Sequence, residues 1–94
     1  MGQAYEEARA GGKHAGWYRN SQELGELQIE KSIRSFQGQI KRHEAWIADP
    51  HSKLPSTTDP ARVRNLVEIG WPEDIRRHHE FIDILKGILK ERRK

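Results

Sequence analysis

The 94-residue chain contains no cysteine. Disulfides and thiolate zinc sites, which often hold short domains together, are thereby excluded, and helix packing must carry the fold without a metal staple. Long apolar runs are missing as well. No stretch approaches the ~18 consecutive apolar residues of a membrane span, and no hydrophobic segment of signal type follows Met1. Membrane insertion and a secretory signal are not expected of these residues. A glycine-rich phosphate loop after a strand, a nucleophile elbow and a His-x-x-x-His pair are also wanting. With 34% hydrophobic and 7% aromatic residues, the composition describes one small domain with a limited core.

Charge is plentiful. Seventeen Lys and Arg against 14 Asp and Glu give a net charge of +3 and a pI near 9.4, before five histidines are counted. Mild basicity suits a nucleic-acid partner without demanding one. Much of the excess lies in "KGILKERRK", where cations also complement a helix C-terminus.

Apolar residues at Ile29, Ile33, Phe36, Ile40 and Ile47 recur with helical spacing, and His43 fills the vacant rung. The spacing predicts a helix over about 21–48, started by Asn20 with Glu23 or by Ser21 and ended by Asp49-Pro50. A polar connector, "PHSKLPSTTDP", leads to Asp59-Pro60, an N-cap followed by proline in the first helical position. A short helix over about 60–69, carrying Val63, Leu66 and Val67, is expected to stop at Gly70. Pro72 then opens a helix over about 72–92, with Ile75, His78, Ile82, Leu85 and Leu89 again stepping by three and four.

The expected fold is therefore all-α: an antiparallel hairpin of the two long helices, closed by the short one, with an ordered N-terminal arm packed by Trp17 or Tyr18. In such a hairpin the position numbers of facing residues sum to a constant. Ile40 with Ile82 and Ile33 with Leu89 give 122, and His43 with His78 gives 121. Two imidazoles then fall in one layer.

That layer carries "KRHE" and "RRHHE", so Lys41, Arg42, Arg76 and Arg77 flank His43 and His78. Cations around imidazoles disfavour the protonated ring, so neutral and charged forms coexist near neutrality. RNA cleavage without a metal needs a base for the 2′-hydroxyl, an acid for the 5′-oxygen and a cation for the phosphorane, and these residue types supply all three. The plainer reading is a hydrogen-bonded histidine pair at the wet end of a seam, with arginines reaching outward. Lys13-His14, after two glycines, forms a second constellation on a loop free to reach a cleft; a solvent-exposed histidine is its plainer reading. Trp17, Tyr18, Trp46 and Trp71 could stack on bases, but so small a domain needs its large side chains for packing. No metal ligand set and no cofactor are expected, because His78 and His79 point about 100° apart on a helix. "LVEIGWPEDIRRHH" has the outline of a helix-turn-helix, yet its second helix bears a full apolar stripe that needs a partner.

"GGKHAGWYRN", "IEKSIRSFQGQIKRHEAWIADP" and "GWPEDIRRHHEFIDILKGIL", which together span about residues 11–90, resemble the C-terminal toxin domains of bacterial polymorphic toxins, of rearrangement-hotspot and contact-dependent inhibition type. The resemblance implies a domain secreted as part of a larger effector, acting in the cytoplasm of a recipient bacterium and neutralised by a cognate immunity protein. Nuclease activity is common among such toxins. Lys13, His14, Lys31, Ser32 and His43 lie in the matching stretches. His78 stands where relatives are expected to carry other residues, which leaves His14 as the alternative partner of His43. On this reading residues 1–12 are a linker or pre-domain segment and 13–94 a single helical toxin domain. The expected activity is cleavage of nucleic acid, RNA rather than DNA, with His14, His43 and His78 as acid/base candidates and Lys13, Lys41, Arg42, Arg76 and Arg77 on phosphate. The alternative is a non-enzymatic helical module that binds a protein or nucleic acid.

Overall fold

A computed structural model describes residues 2–93. The fold is all-α. Among the described residues five α-helices follow in order: α1 (Gln3–Arg9), α2 (Ala15–Ser21), α3 (Glu26–Ala48), α4 (Pro60–Asn65) and α5 (Trp71–Arg92), with a 3₁₀ turn at Pro50–Ser52 and a π turn at Leu66–Gly70. Helices α3 and α5 form the hairpin, and α1 and α2 lie against it. Ile29, Ile33 and Ile40 of α3 meet Ile82, Ile84, Leu85, Ile88 and Leu89 of α5 in one core, which Tyr5, Ala8 and Tyr18 complete from the N-terminal arm. The register read from residue numbers holds at its informative layer, where the His43 and His78 rings lie 5.5 Å apart.

The first long helix begins later than its periodicity suggests. Residues 15–21 form the separate helix α2, and α3 starts only at Glu26. Gly25 is its N-cap, and the Gln28 side chain accepts the Gly25 N–H at 3.2 Å, so neither Asn20 nor Ser21 caps it. The turn at 22–25 lets Tyr18 and Ser21 tuck into the core while Ile29 restarts the apolar stripe. At the other end Ala48 is the last helical residue before Asp49-Pro50, since the residue before a proline avoids the helical region. Asp59 caps α4 by accepting the Ala61 N–H at 3.0 Å, with Pro60 in the first turn.

Gly70 does not stop the short helix. Backbone angles stay helical from Leu66 through Trp71, and α4, the π turn and α5 form one run from Pro60 to Arg92. Pro72 explains the π turn: an interior proline has no N–H to give and its ring crowds the carbonyl four residues back. One wider turn, in which Trp71 N–H reaches Leu66 O, relieves that conflict. At 1.5 Å per residue such a run spans about 50 Å, matching the 52 Å long axis of the molecule.

Residues 1–12, read from the sequence as a linker or pre-domain segment, contribute α1 to the core. Tyr5 and Ala8 are buried. Two carboxylates of α5 fasten the arm. Asp83 accepts the Gly2 N–H at 3.1 Å and the Tyr5 N–H at 2.9 Å, capping α1 from another helix. Glu91 accepts the hydroxyls of Tyr5 and Tyr18, each at 2.5 Å. Burial and the bond to Glu91 push the Tyr18 phenol up to about 12, and the same causes raise Tyr5. Burial works against the charge on Glu91, but hydrogen bonds from Tyr18, Tyr5 and Gln22 hold its carboxyl below the usual range.

Candidate functional site

The histidine layer expected from the sequence is present, with His43 buried in it and His78 half-buried. His43 is 8% exposed. Its Nδ1–H donates to Gln39 O at 2.7 Å, the carbonyl one turn back on α3. Its Nε2 faces Asp74 Oδ2 at 3.4 Å. Asp74 is held in turn by Arg77 at 2.8 Å. Nδ1 is therefore engaged by the backbone, while Nε2 pairs with Asp74 only when the ring carries a second proton. His78 lies between Phe36 and His43, with ring centroids 5.5 Å from each, and its Nδ1 is buried without a hydrogen-bond partner. Burial first, then His43 and Arg77, hold its pKa below the ordinary value; His79 adds to this and Asp74 opposes it. Trp46 packs on His43 and on Trp71, and Lys53 sits 4.7 Å over the Trp46 ring.

A more accessible constellation forms around His14. The turn through Gly11 and Gly12 ends with His14 at φ 66°, a left-handed conformation uncommon outside glycine. It costs on the order of 1 kcal/mol, and the side chain it aims makes specific contacts. His14 Nε2 lies 2.9 Å from Glu80 Oε1 on α5, and the ring packs on Phe81 at 4.8 Å. Lys13 Nζ donates to the same carboxylate at 3.2 Å. The bond from His14 holds the Glu80 carboxyl below its ordinary pKa; burial opposes and Lys13 reinforces this. Glu80 is thus a fixed negative charge that orients an imidazole through Nε2, leaving proton exchange with a ligand to Nδ1.

Two hollows meet at this trio. One, of about 350 Å³, is lined by Gln3, Ala4 and Glu7 of α1 together with Lys13, His14 and Glu80. The other, of about 150 Å³, is lined by Lys13, His14, Glu73, Arg76, Arg77 and Glu80. Arg76 and Arg77 thus share a hollow with His14, Arg77 also reaching the histidine layer through Asp74, and each is paired on its own helix, Arg76 with Glu73 and Arg77 with Asp74. Lys41 lies elsewhere, in a groove of about 520 Å³ with Gln37, Glu44, His79 and Lys86. Arg42 is exposed on α3. Of the eight expected site residues, His14, Lys13, Arg76 and Arg77 share one hollow, buried His43 and half-buried His78 form the layer between α3 and α5, and Lys41 and Arg42 join neither.

Glu80 is the partner of His14 that the sequence pattern did not bring forward. Its signal was its spacing, since Arg76, Arg77 and Glu80 share one face of a helix. Gln3 and Glu7 were hidden because their segment carries no long periodicity. Among the described residues no group of three His, Asp or Glu is placed to hold a metal ion, and no helix is long and apolar enough to cross a membrane. Comparison with family models, with curated proteins and with solved structures gave no match.

Proposed function

We propose that this domain is a toxin effector that cleaves RNA in a recipient bacterium, with His14 as the general base, Lys13 as the general acid, and Lys13, Arg76 and Arg77 on the phosphate. The toxin setting, the larger secreted effector and the cognate immunity protein rest on the resemblance in residues 11–90. The observation that carries the chemistry is the His14–Glu80 contact of 2.9 Å beside a hollow lined by three cations. In that arrangement the 2′-oxygen attacks phosphorus and gives its proton to His14 Nδ1, Glu80 stabilises the imidazolium through Nε2, and the bond to the 5′-oxygen breaks. The Lys13 ammonium supplies the proton to the leaving 5′-oxygen, and the two arginines offset charge on the phosphorane. His43 and His78 support the site from beneath, through Asp74 and Arg77.

A second reading has its own observation. Lys13, Arg76 and Arg77 are each paired with a carboxylate, as on a helical surface that docks a protein or holds nucleic acid without cutting it.

Incubating the purified protein with total RNA and with plasmid, with and without a chelator, tests both. Chelator-insensitive fragments ending in 2′,3′-cyclic phosphate are expected, with loss of two to four orders of magnitude in His14→Ala and retention of cleavage in folded His43→Gln. Intact RNA with folded wild-type protein, or full activity in His14→Ala, overturns the nuclease reading. RNA bound but uncut establishes the second.

A further inference from the structure

The two hollows differ in chemistry while sharing Lys13, His14 and Glu80. One adds the guanidinium groups of Arg76 and Arg77. The other adds the carboxylate of Glu7 and the amide of Gln3, has no further cation, and at about 350 Å³ is the larger. A nucleotide has the same division, with a compact anion at one end and a flat edge of donors and acceptors at the other. Resting on the proposed function, we infer that the larger hollow is a base subsite, and that Glu7 selects guanine.

The argument is one of hydrogen-bond inventory. An ionised carboxylate only accepts, and it does so best from two parallel donors. Guanine alone among the four RNA bases presents two adjacent donors, N1–H and the N2 amino group, on its pairing edge. Adenine and cytosine each place an acceptor beside their amino group, and uracil flanks its single N–H with two carbonyls. A carboxylate facing those edges meets at least one lone pair, which costs affinity. Glu7 is already oriented, since Gln3 Nε2 donates to its Oε1 at 3.1 Å. That bond uses one amide proton of Gln3 and leaves another for the guanine O6 carbonyl. The backbone beneath is also fixed, because Glu7 O accepts the Gly12 N–H at 2.8 Å, joining the base wall to the turn that delivers Lys13 and His14. The base wall and the proton-transfer group are thereby parts of one loop-and-helix unit rather than separate surfaces.

Titration calorimetry with the 3′-monophosphates of guanosine, adenosine, cytidine and uridine reads base selection apart from cleavage. Guanosine 3′-monophosphate is expected to bind the wild-type protein about tenfold or more tightly than the other three. Glu7→Gln replaces two acceptors by one acceptor and one donor, the pattern that matches the pairing edges of adenine and cytosine. It is therefore expected to lose the guanine preference and to move toward adenosine and cytidine 3′-monophosphates. Glu7 is exposed, so the fold is not at stake, and circular dichroism serves as a check. Equal binding of all four nucleotides, binding of none, or an unchanged preference in Glu7→Gln overturns the inference. Selective guanine binding by a protein that leaves RNA uncut keeps the base subsite and removes the nuclease reading, so the two failures are distinct.

Discussion

The Tyr5 ring occupies the space that a side chain at position 87 would fill: a β-carbon on Gly87 would fall within clashing distance of three ring atoms of Tyr5. Glycine in the middle of a helix normally costs about 1 kcal/mol relative to alanine. Here it opens a notch on α5 in which α1 seats a buried aromatic, whose hydroxyl then reaches Glu91. Gly87→Ala is expected to lower stability by about 1–3 kcal/mol despite its better helix propensity. Urea unfolding measures this, and an unchanged or raised midpoint would show that Tyr5 does not sit in the notch.

Asp83 makes a related prediction. α1 has only seven residues and no side-chain cap of its own, far short of what holds a helix in water unaided. Two of its orphan N–H groups are satisfied by Asp83 instead. Asp83→Ala is expected to cost about 1–2 kcal/mol, as the loss of a cap does. It should also speed trypsin cleavage after Arg9 more than after Arg42, because α1 loosens first. Equal acceleration at both sites would mean a global rather than a local loss.

Legibility in the sequence divides along the same line as local and distant contacts. The α3–α5 register could be read because both helices repeat apolar residues over about four to five turns, and that alone set His43 opposite His78. The Asp59 cap and the Asp49-Pro50 stop are local chemistry and were equally readable. Gly70 misled because its meaning depends on Pro72: a glycine before a proline reads as a stop, yet a π turn absorbs both. The start at Ser21 misled because helix α2 continues the apolar spacing of α3 across the break at Gly25. The three carboxylates that organise the arm, Glu80, Asp83 and Glu91, were invisible as such, since their partners His14, Tyr5 and Tyr18 lie more than 60 positions away in the chain.

Glu73 should compete with any phosphate for Arg76. The pair is exposed on one helix, and such pairs add little to stability. Glu73→Gln is therefore expected to leave the unfolding midpoint unchanged while tightening binding of an RNA oligonucleotide. The dependence of that affinity on salt should steepen, since one more cation becomes free to displace counterions. Fluorescence anisotropy at several salt concentrations measures both effects. Unchanged affinity at low salt would mean that Arg76 does not meet the phosphate.

His78 sets a pH limit on the fold. Phe36 and His43 from α3 and Asp74, Arg77 and His79 from α5 surround it, and burial first, then its cationic neighbours, depress its pKa below the 6.5 of the unfolded chain. As pH falls, the unfolded chain takes up this proton before the folded one, so the contribution is full above about pH 6.5 and is lost as pH drops toward the folded value. Glu80 and Glu91, also depressed, act in the separate window below about pH 4.5. His78→Leu removes the titrating group together with the buried Nδ1 that has no partner. The variant is expected to be more stable than wild type by about 1 kcal/mol at pH 7.5, and by a larger margin at pH 5, with the slope between pH 6.5 and 5 reduced. Urea unfolding across that range decides it. An identical slope in the two proteins would assign the pH dependence to another group, and a variant less stable at every pH would mean that the ring makes contacts a leucine cannot replace.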